Sequence, residues 1–180
     1  VNFPYQRIES RSRELGLQTS SQNLFVSISK KKLYHYSFGR LVREYDVSTS
    51  IKQPSCVENS YGTPLGLHQI EHKIGHDAPL GMVFKGRVAV GKRYWELPEA
   101  EQKKGNLITS RILWLKGLEP GINSGPGVDT FKRYVYIHGT NHEERIGEPL
   151  SAGCVLMRNQ EILLLFESIP LHSMVLIEED

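Results

Sequence analysis

Cysteine is scarce in this chain: Cys56 and Cys154 are the only two in 180 residues, and they do not form a C-x-x-C pair. That excludes a zinc ribbon, a thioredoxin-type site and a disulfide framework, and a domain of this size needs no such staple. Long apolar runs are also missing. The greasiest stretch, Leu163-Leu164-Leu165-Phe166, is bracketed by Glu161 and Glu167. It falls far short of the roughly 20 apolar residues that cross a bilayer, so no membrane span is expected. Nor is there an excess of one charge: the net charge of +2 is too mild for a nucleic-acid partner. The one basic run, Lys30-Lys31-Lys32, reads as a turn between strands. The opening Val1-Asn2-Phe3-Pro4 lacks the basic start and apolar middle of a secretion signal. What remains is an ordinary apolar fraction of 39%, enough for one domain with a substantial core.

Residues 1–22 are expected to form an arm or short helix, with one domain filling 23–180. From Leu24 to Ser29 apolar residues alternate, as they do in a strand with one buried face. Leu33–Phe38 and Leu41–Val47 follow, rich in Tyr and Val, and Gly39-Arg40 between them suggests a meander with tight turns. Lys52–Gly66 has loop chemistry. Further strands are expected over Leu67–Ile74, Met82–Val90 (a single strand around Gly86), Leu107–Leu115, Arg133–His138 and Met174–Ile177. Asn159 is placed to cap a helix running to Ser168 with Ile162, Leu163, Leu165 and Phe166 on its buried side. The fold is therefore expected to be mainly β, with one clear helix near its end.

The chemistry concentrates in Ile137-His138-Gly139-Thr140 and Ser151-Ala152-Gly153-Cys154-Val155. A cysteine nucleophile works as the thiolate, and a nearby imidazole that takes its proton lowers the thiol pKa below its free value. Backbone N–H groups are needed to hold the oxyanion, and glycine at 153 lets the main chain approach a substrate closely. If 134–138 is a regular strand, Tyr134, Tyr136 and His138 share one face. The loop from Thr140 to Leu150 is short enough to return Cys154 to the side of His138.

These segments resemble the L,D-transpeptidase catalytic domain, the YkuD family, whose signature is an HG[ST]-like strand end followed by S-x-G-C-[IV]-R-[ML]-x-N. His138-Gly139-Thr140 and Ser151 to Asn159 supply it in order. Ser60-Tyr61-Gly62-Thr63-Pro64-Leu65-Gly66 is similar to another family segment, and the likeness runs from about Leu24 to Ile177. The resemblance implies a β-sandwich or barrel with one helix following the cysteine. It implies Cys154 as nucleophile, His138 as general base and then acid, the Gly139 carbonyl as the group orienting the imidazole, and the N–H groups of Gly153 and Cys154 as oxyanion hole. Tyr134, Tyr136, Thr140, Ser151 and Arg158 become candidate substrate-binding residues. The implied partners are peptidoglycan stem peptides, with carbapenem-type β-lactams as covalent inhibitors and a location in the bacterial periplasm or envelope.

Two positions depart from the family pattern: Leu156 stands where arginine is usual, and Ala152 where many members carry histidine. Arg158 would share a strand face with Leu156 if that region is extended, and is the expected substitute. Three readings stay open: a transpeptidase, a carboxypeptidase or murein peptide hydrolase using the same site, and a weakly active peptidoglycan-binding domain. No cofactor or metal is expected. His68, His72 and His76 are spaced as on a helix face, but Pro64, Gly66 and Gly75 make this a strand and turn. His142 reads as solvated, and Cys56 as a spectator thiol.

Overall fold

The structure, a computed structural model, describes residues 4–180, so Val1, Asn2 and Phe3 of the expected arm lie outside the described residues. The chain opens with helix α1 (Pro4–Glu14) and continues into the expected meander, β1 (Gln22–Ser27), β2 (Lys32–Ser37) and β3 (Arg40–Asp46). β4 (Gly66–Ile74) follows the loop, then β5 (Met82–Lys85), β6 (Val88–Arg93) and the single-turn helix α2 (Glu99–Gln102). The long β7 (Ile108–Gly117), β8 (Tyr136–Gly139), β9 (Val155–Met157), helix α3 (Asn159–Ser168) and β10 (Met174–Glu178) complete the fold.

These strands form one curled sheet. Its path runs β3-β2-β1-β10-β4-β7, and β8 and then β9 extend it from the other edge of β7. The β5–β6 hairpin adds to β7 beyond the end of β4, at Ile108 and Thr109. The curl nearly closes on itself. The chain leaving β3 passes β9, where Ser48 pairs with Leu156 in both directions, at 3.0 and 2.8 Å. That contact satisfies backbone groups that would otherwise leave β9 an open edge.

Period-two alternation decides what each face carries. Leu24, Val26, Leu113, Leu115, Ile137, Val155, Met157, Val175 and Ile177 point inward and pack with Ile162, Leu165 and Phe166 of α3. The alternate residues point outward. Phe25, Leu67, Met174 and Leu176 are covered by Ile8 of α1. Ile112, Trp114 and Tyr136 meet Met82, Phe84 and Cys154 on a separate outer patch. The outer face of β7–β8–β9 is thus half-covered, and the chemistry sits there.

Two sequence expectations need correction. Met82–Val90 is a hairpin rather than one strand, because Gly86 (φ 53°) and Arg87 (φ 67°) both take positive φ, the requirement of a two-residue hairpin turn. Tyr134 has φ 56° and closes a turn, its N–H donating to the Phe131 carbonyl at 3.1 Å. β8 therefore starts only at Tyr136, and Tyr134 does not take part in its alternation.

Candidate active site

β8 and β9 run parallel, with Ile137 opposite Val155, His138 opposite Leu156 and Gly139 opposite Met157. Continuing this register by one residue sets Cys154 beside Tyr136, so Cys154, Tyr136 and His138 share the outer face. Cys154 and His138 are then diagonal neighbours on that face, with Tyr136 directly beside the cysteine. No hydrogen bond joins the sulfur to the imidazole: the sulfur's partners are the Tyr136 N–H and the Tyr134 carbonyl, and the imidazole's is the Gly139 carbonyl. Tyr136 and His138 rings stand edge-to-face at 6.4 Å.

His138 is almost fully buried, and its Nδ1 lies 2.6 Å from the Gly139 carbonyl. A carbonyl only accepts, so Nδ1 carries the proton and Nε2 is left as the free acceptor. Gly139 itself is tightly packed: a Cβ there would stand 2.6 Å from Asn159 Oδ1 and 2.6 Å from the Thr109 carbonyl. Asn159, the first residue of α3, locks this corner. Its Oδ1 accepts from the hydroxyls of Thr109 and Ser110, each at 2.6 Å, and its Nδ2 donates to the Thr140 carbonyl at 2.8 Å.

Cys154 is half-buried at one end of a cleft of about 270 Å³. Its walls come from the 58–61 loop (Glu58, Asn59, Tyr61), from residues 132–135 and from Ala152. The sulfur accepts from the Tyr136 N–H at 3.3 Å and faces the Tyr134 carbonyl at 3.7 Å. Both cysteines are free, and Cys56 lies apart, its thiol donating to the Leu65 carbonyl at 3.4 Å. The turn carrying Cys154 is stapled by Ser151, whose hydroxyl donates to the Cys154 carbonyl at 2.5 Å and accepts from the Gly153 N–H at 3.2 Å. Gly153 has φ 129°, a conformation that a residue with a Cβ rarely adopts.

Burial dominates the electrostatics. It pushes the His138 imidazole down to about 4, and the Gly139 carbonyl only partly offsets it. It pushes the Cys154 thiol up to about 11, against the Tyr136 N–H and the charge of Arg133. The expectation that the imidazole would hold the thiol below its free value is thus corrected. Desolvation disfavours the charged form of each group, and at rest the site holds a neutral thiol and a neutral imidazole.

Of the residues singled out from sequence, Cys154 and Tyr134 line the cleft, Tyr136 and His138 share the cysteine's sheet face, the Gly139 carbonyl meets the imidazole and Gly153 lies in the cysteine's turn. Thr140 is fully buried, its hydroxyl accepting from the His142 N–H at 3.1 Å. Ser151 is turned into its own loop, as described. Arg158 does not extend β9: it is the N-cap residue of α3, ion-paired with Asp46 at 3.3 Å and Glu161 at 3.7 Å. It leaves the Leu156 position unserved, and Leu156 is fully buried. Sequence reasoning missed three features. Arg133, read as a strand residue, lies in the cleft wall. Arg87, at the hairpin tip, donates to the Tyr136 hydroxyl at 3.2 Å and lies over the Trp114 and Tyr134 rings. Asn159, expected as the cap of the helix, is instead its first residue behind the N-cap Arg158, and it anchors the Thr140 carbonyl.

Comparisons with known proteins point the same way. A family model described as the L,D-transpeptidase catalytic domain, YkuD, matches residues 21–177. The provisionally named L,D-transpeptidase YqjB of Bacillus subtilis (strain 168) is 36% identical over 102 residues, 52% of this chain and 58% of that protein. Among solved structures, an L,D-transpeptidase from Xylanimonas cellulosilytica superposes with a TM-score of 0.53 at 17% identity, covering 98% of this chain and 70% of that one. L,D-transpeptidase 3 from Mycobacterium tuberculosis, solved with a faropenem-derived adduct, gives a TM-score of 0.53 at 12% identity over 88% of this chain and 60% of that one. The chain thus spans 58% of the length of its curated relative. At these identities the structural likeness speaks for the fold.

Proposed function

The chain belongs to the L,D-transpeptidase catalytic domain family, and on that premise we propose that it transfers an acyl group of a peptidoglycan stem peptide from one amine to another through a Cys154 thioester. The observation that carries this reading is the pairing across β8 and β9. A sulfur at one end of an open cleft shares a sheet face with an imidazole that the Gly139 carbonyl holds in the Nδ1–H form.

The resting thiol faces the Tyr134 carbonyl. In the proposed step the thiol gives its proton to Nε2 of His138. As the S–H bond breaks, the sulfur forms a bond to the donor carbonyl carbon, and the carbonyl π pair moves to oxygen. The oxyanion collapses, the C–N bond breaks, and the leaving amine takes the proton from the imidazolium. For a stem tetrapeptide the leaving group is the terminal D-alanine. An acceptor amine then attacks the thioester, giving its proton to Nε2, and the thiol is restored. Water in place of the amine would make the same site a carboxypeptidase. The N–H groups near Gly153 and Cys154 are the proposed oxyanion donors. For the Gly153 N–H this requires exchange of its bond to Ser151 for one to the substrate.

Tyr134 and Tyr61, 53% and 59% exposed, give the cleft amphipathic rings against which a peptide can lie. The adduct seen in the M. tuberculosis relative suggests β-lactams of the carbapenem and penem type as covalent inhibitors here. A periplasmic or envelope location follows from the proposed substrate alone.

The test is a tetrapeptide donor incubated with an amine acceptor and followed by mass spectrometry. Release of D-alanine with a crosslinked product supports the transferase, and release with a free tripeptide points to the hydrolase. Neither product, in a protein that is folded, refutes the enzymatic reading and leaves a binding domain.

A further inference from the structure

Arg133 lies in the cleft wall with Cys154. It is half-buried, and its guanidinium donates to the Ser55 carbonyl at 2.9 Å and the Gly62 carbonyl at 2.7 Å, with a longer contact to the Ser60 hydroxyl at 3.4 Å. All three acceptors are neutral. Among the described residues the ion pairs involve other arginines, Arg7, Arg11, Arg145 and Arg158. A guanidinium withdrawn from water is costly unless an anion meets it. Burial does press on the Arg133 charge, and the groups that favour it are the two cysteines in their thiolate form and Glu58.

We propose that Arg133 is the cation that stabilises the Cys154 thiolate as it forms. The proposal rests on the reading of Cys154 as nucleophile. Leu156, fully buried, supplies no charge, and Arg158 is held by Asp46 and Glu161. Arg133 and the Cys154 sulfur line the same cleft. The other groups around the sulfur do not duplicate it. Tyr136 and His138 on β8 are neutral at rest, and Glu58 is an anion. Lys132 is exposed at the rim. Arg87, from the β5–β6 hairpin, is bonded to the Tyr136 hydroxyl and covered by the Trp114 and Tyr134 rings. The same three bonds let Arg133 brace the 55–62 loop, whose Gly62 carbonyl lies 3.3 Å from where a Cβ on Gly153 would stand. The cation and the nucleophile's turn are therefore held by one loop.

The experiment is the pH profile of iodoacetamide alkylation of Cys154, with Cys56→Ser as background, comparing wild type, Arg133→Gln and Arg133→Lys. Removing the charge in Arg133→Gln is expected to raise the thiol midpoint by about one pH unit, which slows alkylation about tenfold at neutral pH. The high-pH plateau should stay unchanged, and Arg133→Lys should recover most of the shift. A role confined to bracing the loop would change the plateau in both variants and leave the midpoint where it was. That result overturns the proposal, as does an equal midpoint shift in the lysine variant. If the glutamine variant does not fold, Arg133→Met, of similar length and uncharged, is measured in its place. Mass analysis of the wild type with a carbapenem separates the two levels. Adduct formation with an unmoved midpoint sinks only the assignment of Arg133, whereas no adduct sinks the reading of Cys154 itself.

Discussion

Asn159→Ala should cost both stability and acylation rate, for one structural reason. The side chain is 3% exposed and makes three short hydrogen bonds, accepting from Thr109 and Ser110 at 2.6 Å and donating to the Thr140 carbonyl at 2.8 Å. Each net bond is worth about 1 kcal/mol, and a stranded buried partner costs about 1–3 kcal/mol. The expected loss is therefore about 3 kcal/mol. With a urea dependence of about 2 kcal/mol per molar, the unfolding midpoint should fall by about 1.5 M. The Thr140 carbonyl lies one peptide beyond the Gly139 carbonyl that orients His138, so the variant should also be acylated more slowly under conditions where it is still folded. Equilibrium urea unfolding followed by tryptophan fluorescence measures the first effect, and stopped-flow β-lactam acylation the second. A midpoint within about 0.3 M of wild type would show that this corner does not depend on Asn159.

Three further outcomes follow from burial. Iodoacetamide labelling of Cys154 in the free protein should climb about tenfold per pH unit towards a midpoint near 11; a plateau already reached at pH 6–7 would mean a resting thiolate and contradict the neutral pair. His68 and His138 are both buried and held down to about 4, so the unfolded chain binds more protons than the folded one between about pH 6.5 and 4. Their contribution is present above 6.5 and lost as pH falls through that window, by about 1.4 kcal/mol per pH unit for each histidine; urea midpoints measured from pH 7 to 4 check the slope, and a flat profile would contradict it. Leu156→Arg, which restores the family residue, should destabilise by about 3–5 kcal/mol, because it puts an uncompensated charge in a fully buried position; thermal denaturation showing wild-type stability would mean the position opens to solvent.

Much of the fold was legible because local rules and tertiary packing agree. The β1–β3 meander, the β4 and β7 strands, the 52–66 loop and the α3 helix all follow from alternation, turn residues and the spacing of Ile162, Leu165 and Phe166. The β5–β6 hairpin was not legible, since its turn places Arg87 rather than glycine or asparagine at a positive φ. The start of β8 was overextended for a similar reason: Tyr134 has strong strand propensity, but the 131–134 turn overrides it. At the site, the signature singled out Cys154, His138 and Gly139; the parallel pairing of β8 with β9 puts Cys154 and His138 on one face, and the Gly139 carbonyl lies against the imidazole. The thiol pKa could not be read from spacing, because it depends on how much water the surrounding aromatic patch excludes. Nor could Arg133, since its role depends on a loop that lies 71 residues away in sequence at Gly62. Arg158 was misplaced because the register argument assumed that β9 runs on, whereas the chain has already turned into α3.

The most direct measurement is carbapenem acylation followed by intact mass in the wild type, Cys154→Ala and His138→Ala. A single adduct should form on the wild type, vanish in Cys154→Ala, and form about 10²–10⁴-fold more slowly in His138→Ala, the usual contribution of a positioned general base. An adduct that persists without Cys154, or forms at the wild-type rate without His138, would contradict the assignment of nucleophile and base.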